Sequence, residues 1–181
     1  MRFSVVISVY HNDKPKFVTR ALDSITKEQS IKPDEVVLVV DGPIPQKLRK
    51  LIINISQSTP GLYNIIWLPE NKGLGNALRV GVDNAKYDVV ARMDSDDVAV
   101  PSRFEKQINY LNSHPYCDVV GGQITEFIGE ESNIIGKRTV VCDSTNIYIY
   151  RPKISMSFQS YDSNVKKINC NFRWQLSGLA L

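Results

Sequence analysis

The sequence lacks long apolar runs, and no stretch approaches the roughly 20 apolar residues that a transmembrane helix needs. Its start is partly apolar, but serines interrupt the run and no small-residue cleavage site follows, so a secretory signal peptide is not indicated. The net charge is only +3 over 181 residues, without a basic stripe interleaved with aromatic residues. We therefore expect no nucleic-acid partner and a membrane contact that is peripheral at most.

Cysteine is scarce as well. The three cysteines, Cys117, Cys142 and Cys170, do not have the spacing of a metal site. An odd number without a disulfide pattern is typical of a reducing compartment, so the sequence predicts a cytoplasmic protein. The chain also lacks a Gly-x-Gly-x-x-Gly turn after its first predicted strand and a Gly-Lys-Ser/Thr loop. These absences argue against a dinucleotide-binding fold and a P-loop NTPase.

What the chain does contain is a regular alternation of strand-length apolar runs with segments of helical period, at a length that suits one domain. This alternation predicts right-handed crossovers and an α/β fold, in which helices cover both faces of an open, mostly parallel, Rossmann-like sheet. The predicted strands cover residues 3–9, 35–40, 64–68, 88–93 and 118–124. In the helix after the third strand, the predicted inward face comprises Leu74, Ala77, Leu78, Val82 and Ala85.

The most informative motif is Asp94-Ser-Asp96-Asp97, which directly follows the fourth predicted strand. Carboxylates at the end of a buried strand remain ionised only with a cation or hydrogen-bond donors nearby. Mg²⁺ and Mn²⁺ prefer oxygen ligands, and they commonly take one or two carboxylates together with phosphate oxygens. The motif therefore indicates a clamp for a metal-bound diphosphate. The alternative is a solvated acidic turn at the start of the next helix.

Polar residues follow the other predicted strands too: Tyr10 and Asp13 follow the first, Asp41 the second and Lys72 the third. Because ligands of parallel α/β sheets bind at the carboxyl ends of the strands, this convergence predicts a nucleotide site. Tyr10 could stack on a base or simply end its strand. Asp41 could accept a hydrogen bond from a pyrimidine imide or form a turn before Gly-Pro.

Within that site, Asp94 suits a ribose hydroxyl and Asp96 suits the metal. Asp97 would orient its neighbours or start the next turn. Arg92 and Lys72 could offset the surplus negative charge, although the sequence leaves open the strand face on which Arg92 lies.

Taken together, these residues resemble the inverting family 2 glycosyltransferases of bacterial surface-polysaccharide synthesis, which have the GT-A fold. The resemblance covers about the first 145 residues in unbroken order. It rests on the blocks Phe3–Tyr10, Glu35–Gly42, Asn71–Leu78, Ala91–Asp97, Pro101–Gln107 and Asp118–Gln123.

The resemblance implies a nucleotide-diphosphate sugar as donor, with a UDP-sugar as the first guess, and Mg²⁺ or Mn²⁺ as cofactor. Asp41 would contact the base, Asp94 the ribose, and Asp96 the metal, which neutralises the departing diphosphate. The hydroxyl of a saccharide or lipid-linked saccharide acceptor, deprotonated by a carboxylate base, would attack the anomeric carbon from the opposite face. The sequence does not specify the sugar or the acceptor.

In the resembling family the base lies after a Cys-Pro-Phe-Asn-His-like strand and a Gly-Gly turn. Nothing after Thr145 matches that pattern, so no catalytic base is assigned. Codons chosen from those allowed for Met156–Lys167, read one nucleotide later, can encode Cys-Pro-Phe-Asn-His. We therefore predict a frameshift between about residues 148 and 156. The nucleotide-sugar-binding domain would span residues 1–145, and residues 146–181 would be a divergent, poorly ordered tail of a truncated chain with impaired activity.

Two other functions stay open. A non-catalytic remnant would bind the nucleotide and transfer nothing. A sugar-phosphate nucleotidyltransferase would share the doubly wound architecture, but it needs a Gly-rich loop with Arg and Lys directly after the first strand. This chain has Tyr10-His-Asn-Asp13-Lys-Pro15 at that place.

Overall fold

The computed structural model describes residues 1–117 and 119–138, together with the backbone of Val165–Ile168. Most of the tail that we predict to be poorly ordered lies outside these residues. None of the described helices is long and apolar enough to span a bilayer. The elements are β1 (Ser4–Val9), α1 (Pro15–Thr26), β2 (Glu35–Val40), α2 (Gln46–Ser58), β3 (Tyr63–Trp67), α3 (Leu74–Asp83), β4 (Val90–Met93), α4 (Arg103–Ser113), β5 (Ile124–Ile128), β6 (Ile134–Arg138) and β7 (Val165–Ile168).

The first four strands form one parallel sheet in the order β3-β2-β1-β4. In its centre, Val9 of β1 lies opposite Val40 of β2, and Ile7 lies opposite Met93 of β4. The first four predicted strands are confirmed, each with bounds within two residues of those observed. Because these strands run in the same direction, their carboxyl ends share one edge of the sheet.

Both faces of this sheet are buried. On one face Val5, Ile7 and Leu38 pack in a cluster with apolar residues of α1, α2 and α4. On the other face Val6 and Val37 pack against α3. The predicted arrangement of helices on both faces is therefore confirmed, and it explains why β1 and β2 are nearly continuous apolar runs.

The helix α3 approaches the sheet closely because Gly81 has no side chain. A Cβ atom on Gly81 would lie 2.5 Å from Cγ1 of Val6 and 3.3 Å from Cγ2 of Val39. Ala77 is fully buried on the same side, as predicted, whereas Leu74 is 40% exposed, so its predicted inward position is wrong. Leu74 is the first residue of α3. It therefore lies at the carboxyl edge, where the helix begins beyond the apolar surface of the strands.

The predicted fifth strand is also wrong. β5 begins at Ile124, and it belongs to a separate antiparallel sheet of order β6-β5-β7. The consecutive glycines Gly121 and Gly122 offer no side chain to pack and weaken a strand, whereas Ile124 and Phe127 bury apolar side chains. The parallel sheet of the described residues therefore has four strands instead of five.

An ion pair links the antiparallel sheet to the first helix. Arg20 of α1 binds both carboxylate oxygens of Glu131, which lies in the turn between β5 and β6; the Nη2–Oε2 distance is 2.9 Å. The same guanidinium donates to Glu28 at 2.9 Å. Such a two-pronged contact fixes orientation as well as distance, so the turn is held against α1.

Replacing Gly81 with Ala should lower the free energy of unfolding by about 1–3 kcal/mol, because an extra methyl group in a packed contact forces its neighbours to move. Urea denaturation followed by circular dichroism measures this change. The control is Gly75→Ala in the same helix, where no atom lies within 4 Å of the added Cβ. That change should be neutral or stabilise by up to about 1 kcal/mol. Equal effects of both substitutions would contradict the close approach of α3.

Candidate functional site

The carboxyl edge of the parallel sheet brings the predicted site residues onto neighbouring loops. Each of these loops starts directly where a strand of the sheet ends, so the order of the strands decides which side chains meet. The loop after β1 carries Tyr10 and Asp13, the loop after β2 carries Asp41, the loop after β3 carries Lys72, and the loop after β4 carries Asp94 and Asp96.

Asp41 joins two of these loops through its carboxylate. Its Oδ1 accepts a hydrogen bond from the backbone N–H of Lys72, and its Oδ2 accepts one from the N–H of Gly73, both at 3.0 Å. The residue is 4% exposed. A carboxylate oxygen can accept more than one hydrogen bond, so each oxygen keeps capacity for a further donor, such as a base imide. Asp41 therefore shapes the loop after β3 and can still accept from a ligand.

The tight contact between these loops explains the glycine that follows Asp41. Gly42 has a φ of +84°, in the left-handed region that favours glycine. A Cβ atom there would lie 2.5 Å from the backbone nitrogen of Asn71. Glycine is thus required after Asp41 because two backbones approach closely there, and not only because the chain turns.

Asp13, in the loop after β1, lies near the acidic motif. Its Oδ2 accepts a hydrogen bond from the backbone N–H of Tyr10 at 2.9 Å. Burial raises the pKa of Asp13 to about 6, and the negative charges of Asp96 and Asp94 add to the rise, against the lowering by the Tyr10 N–H and the Ser95 hydroxyl. The three carboxylates therefore lie close enough to influence one another.

In the acidic motif each carboxylate has a different environment. Asp94 forms an ion pair with Arg92, which is mostly buried. Since Arg92 follows Val90 at the strand period of two, it lies on the face of the sheet that α3 covers. Asp96 is exposed, whereas Asp97 is buried.

The fit of a divalent cation depends on how many ligands the protein offers. In the described part of the chain, no group of three or more His, Cys, Asp or Glu side chains could hold a metal ion. The exposed Asp96 carboxylate is a hard oxygen ligand, and a site of one or two carboxylates suits Mg²⁺ or Mn²⁺ when phosphate oxygens complete the shell. The donor set therefore fits a cation that binds together with a diphosphate.

Tyr10 and Lys72, like Asp96, face solvent. Tyr10 is 40% exposed, and its ring lies edge-on to His11 with the centroids 5.3 Å apart. A strand-ending aromatic that remains this exposed is available for stacking. The Nζ atom of Lys72 lies 2.7 Å from Oε1 of Glu70, and both side chains are exposed. Such a pair is weak in water, so Lys72 can exchange Glu70 for a phosphate at little cost.

The loop after β4 is held from behind by Gln29, which the sequence analysis did not identify. The Nε2 of this buried side chain donates to the carbonyl oxygens of Ser24 and Val100, both at 2.8 Å. Its Oε1 accepts from the N–H of Phe104 at 3.2 Å, and the Ser24 hydroxyl accepts from the N–H of Ala99 at 3.0 Å. The end of α1 thus fixes the backbone that carries the acidic motif. A polar residue shortly after an apolar helix face was the available signal, but its partners Val100 and Phe104 lie 71 and 75 residues away in the sequence.

Arg103 was missed in the same way. Although it is 2% exposed, its Nη2 donates to the carbonyl oxygen of Arg92 at 2.7 Å, and its Nε donates to Gln107 at 3.3 Å. Its Nη1 lies 3.2 Å from the sulfur of Met93. The first residue of α4 therefore holds the end of β4, from which the acidic motif projects.

Comparison with known proteins agrees with this geometry. Residues 4–177 match the model of Glycosyl transferase family 2, and the chain belongs to this family. It is 42% identical over 125 residues to the amylovoran biosynthesis glycosyltransferase AmsE of Erwinia amylovora, which covers 69% of this chain and 46% of the relative. It is 33% identical over 132 residues to the UDP-Gal:alpha-D-GlcNAc-diphosphoundecaprenol beta-1,3-galactosyltransferase of Escherichia coli. This match covers 70% of this chain and 45% of the relative. The chain spans about half the length of the curated relatives that it matches.

Solved structures show the same fold. The structure of S. aureus TarS 1-349 in complex with UDP-GlcNAc has a TM-score of 0.55 and 27% identity, and the match covers 66% of this chain and 33% of that one. The structure of the mannosyltransferase PcManGT of Pyrobaculum calidifontis, in complex with GDP-Man and Mn²⁺, has a TM-score of 0.58 and 20% identity. The match covers 66% of this chain and 34% of that one. The fold is therefore the GT-A fold, as predicted. The family match extends beyond residue 145. The domain boundary there and the frameshift remain predictions, which the nucleotide sequence of the gene tests.

Replacing Gln29 with Leu should lower the free energy of unfolding by at least about 2 kcal/mol, because each buried polar group left without its partner costs about 1–3 kcal/mol. Chemical denaturation measures the loss. The matched control is Gln57→Leu on the exposed side of α2, which should change stability by less than about 0.5 kcal/mol. A Gln29 variant as stable as the control would contradict the role of this network.

The raised pKa of Asp13 predicts a pH-dependent difference between the wild type and Asp13→Asn. The folded state of the wild type holds this proton up to about pH 6, whereas the ordinary value is 3.8, so rising pH across this interval destabilises the wild-type fold. The free energy of unfolding of the Asn variant, minus that of the wild type, should therefore increase from about pH 4 to pH 6 and level off above. Denaturation at several pH values, with a chelator present, tests this. A constant difference would show that Asp13 titrates normally.

Proposed function

We propose that this chain forms the donor-binding part of a glycosyltransferase, which transfers a sugar from a nucleotide-diphosphate sugar to an acceptor hydroxyl in cell-surface polysaccharide synthesis. The observation that carries the proposal is the placement of Asp41 and the Asp94–Asp97 motif on strand ends at one edge of a GT-A fold. Membership in the family supports the reaction class.

A UDP-sugar is the first candidate for the donor. The name of the E. coli relative gives UDP-Gal as its donor, and the TarS structure contains UDP-GlcNAc. The mannosyltransferase structure contains GDP-Man, so a guanosine donor is the alternative that a binding test must include.

Each site residue has a role that its environment suits. Tyr10 stacks on the base. Asp41 accepts a hydrogen bond from the base through a lone pair that its two backbone hydrogen bonds do not use. Asp94 accepts from a ribose hydroxyl while Arg92 balances its charge. Lys72 leaves Glu70 and pairs with the diphosphate.

Asp96 is the residue that would hold Mg²⁺ or Mn²⁺, since it is the exposed carboxylate of the motif. The bound ion supplies charge neutralisation for the departing diphosphate. Asp13, whose pKa is influenced by Asp96 and Asp94, completes the set of substrate-binding residues. The negative charge of these side chains also favours the approach of a cation before the donor is bound.

Further properties of the whole enzyme belong to the same proposal. We infer an inverting reaction in the cytoplasm, with a saccharide or lipid-linked saccharide as acceptor, in line with the diphosphoundecaprenol acceptor in the name of the E. coli relative. No residue of the described chain is assigned as the catalytic base.

A second candidate function is nucleotide-sugar binding without transfer. It is favoured by one observation: every described residue at this edge to which we assign a role is assigned to the donor or its metal, and none is assigned to an acceptor. A general base contributes about 10²–10⁴-fold to a rate, so a chain without one would bind the donor and turn it over very slowly.

The exposed position of Asp96 predicts that Asp96→Asn abolishes the effect of the metal on nucleotide binding. Calorimetric titration with UDP should show tighter binding in Mn²⁺ than in chelator for the wild type. In the variant, the affinity for UDP measured in Mn²⁺ should fall by at least about 100-fold. That is the upper end of the loss seen when a group that only orients a metal ligand is removed, and Asp96 would bind the metal directly. The control is Asp88→Asn, an exposed carboxylate before β4, which should bind as the wild type does.

The same samples separate the two candidate functions. UDP- and GDP-sugars are incubated with the protein and Mn²⁺, and the release of free nucleotide is measured with and without saccharide acceptors. Release that requires Asp96 supports a transferase. Binding without release supports the non-catalytic module, and a wild type that binds no nucleotide in Mn²⁺ would overturn both.

A further inference from the structure

We propose that Asn71 is a positioning residue of the donor site, which makes one particular carboxylate oxygen of Asp41 the acceptor for the base. This inference rests on the proposed function, and it concerns how that site selects the base of its donor. The geometry behind it is a single backbone N–H, that of Gly73, which Asn71 and Asp41 share.

The two oxygens of the Asp41 carboxylate have different environments. Oδ1 accepts from the backbone N–H of Lys72 at 3.0 Å, and this N–H has no second acceptor among the described residues. Oδ2 accepts from the N–H of Gly73 at 3.0 Å, but the same N–H also donates to the side-chain oxygen of Asn71 at 3.1 Å. A hydrogen cannot point straight at two acceptors, so each of these contacts is weaker than an undivided bond. Oδ2 is therefore the better acceptor for a further donor.

Asp41 cannot move far to meet a ligand. Its backbone N–H donates to the carbonyl oxygen of Val9 at 2.8 Å, which continues the pairing of β1 with β2 up to this residue. The residue is also buried. What its carboxylate offers to a base therefore depends on the donors that surround each oxygen.

The backbone of Asn71 is fixed beside the same carboxylate. A Cβ atom on Gly42 would lie 2.5 Å from the nitrogen of Asn71 and 3.0 Å from its Cα atom, so the two backbones are in close contact. Gly42 directly follows Asp41 in the sequence. Asn71 thus has a defined place from which its side-chain oxygen reaches the Gly73 N–H, and it can retain that hydrogen when a base draws on Oδ2.

A carboxylate acceptor at this place selects bases by the edge that they present. Uracil and guanine carry an imide N–H on the edge that is used for base pairing, whereas cytosine and adenine present a lone pair at the same position. A buried acceptor that meets a lone pair gains no hydrogen bond and loses its water, so the mismatched base binds more weakly. By sharing the Gly73 N–H, Asn71 increases the preference of the site for uracil or guanine.

The test is the ratio of the CDP dissociation constant to the UDP dissociation constant in Mn²⁺, measured by calorimetry for the wild type and for Asn71→Ala. The two nucleotides share the ribose and the diphosphate, so the ratio isolates the base. In the variant the Gly73 N–H engages Oδ2 alone, so the ratio should fall by at least about threefold. If the wild type binds GDP more tightly than UDP, the ratio of the ADP to the GDP constant is used in the same way.

Two further variants complete the comparison. Asn71→Asp retains an acceptor oxygen and should restore the ratio, because its added charge acts on the diphosphates of both nucleotides alike. The control is Asn54→Ala on the exposed side of α2, which should leave the ratio unchanged.

The outcomes separate this inference from the proposed function. A general loosening of the loop would weaken both nucleotides and keep the ratio, and an unchanged ratio in Asn71→Ala would overturn the inference while the proposed function stands. The same holds if Asn71→Asp fails to restore the ratio, or if the wild type shows no preference between the bases. A wild type that binds no nucleotide in Mn²⁺ would end the proposed function and this inference together. Should Asn71→Ala not fold, Asn71→Gln, whose side-chain oxygen is displaced by one methylene group, is measured by the same ratio and must lower it.

Discussion

The structure depends on the burial of β1 and β2 on both faces. These strands pack against α1, α2 and α4 on one side and against α3 on the other, through residues that are nearly all Val, Ile or Leu. Each such side chain contributes about 1.5–3 kcal/mol when it is fully buried. A charged group on either face would forfeit that gain and lack partners. Ionised side chains of β1 and β2 themselves are therefore confined to the strand ends, and in a parallel sheet the carboxyl ends coincide.

That confinement concentrates negative charge, and each carboxylate is accommodated differently. Asp41 receives two backbone N–H groups, and Asp94 receives the guanidinium of Arg92. Asp96 remains in water, where its hydration is intact. Asp13 is held with much of its side chain out of water, and this burial raises its pKa to about 6. A cation at Asp96 would relieve the repulsion among these groups, so the fold without ligand already favours the charge that the donor complex would bring.

The sequence predicted those parts of the site that follow a strand without interruption. Asp41 and Asp94 could be found because a strand is marked by its own residues and the ligand edge follows from the parallel order. Gln29 and Arg103 could not, since each supports the acidic motif through partners on other elements that no local pattern reveals. β5 was misplaced because the apolar residues before Gly121 resemble a strand, while pairing with β6 and β7 fixes its actual start at Ile124.

The difference between the residues that the sequence predicts and those that it does not predict has a physical cause. A site built from strand ends is encoded in short segments, because the sheet aligns those segments with one another. An acceptor site and a catalytic base are not marked by such a pattern, and no described residue is assigned to either. The contact of Asp41 with the loop after β3 belongs to the first kind of construction, because both loops directly follow adjacent strands. The geometry of the carboxyl edge is thus set by the strands of the parallel sheet and by contacts between the loops that directly follow them.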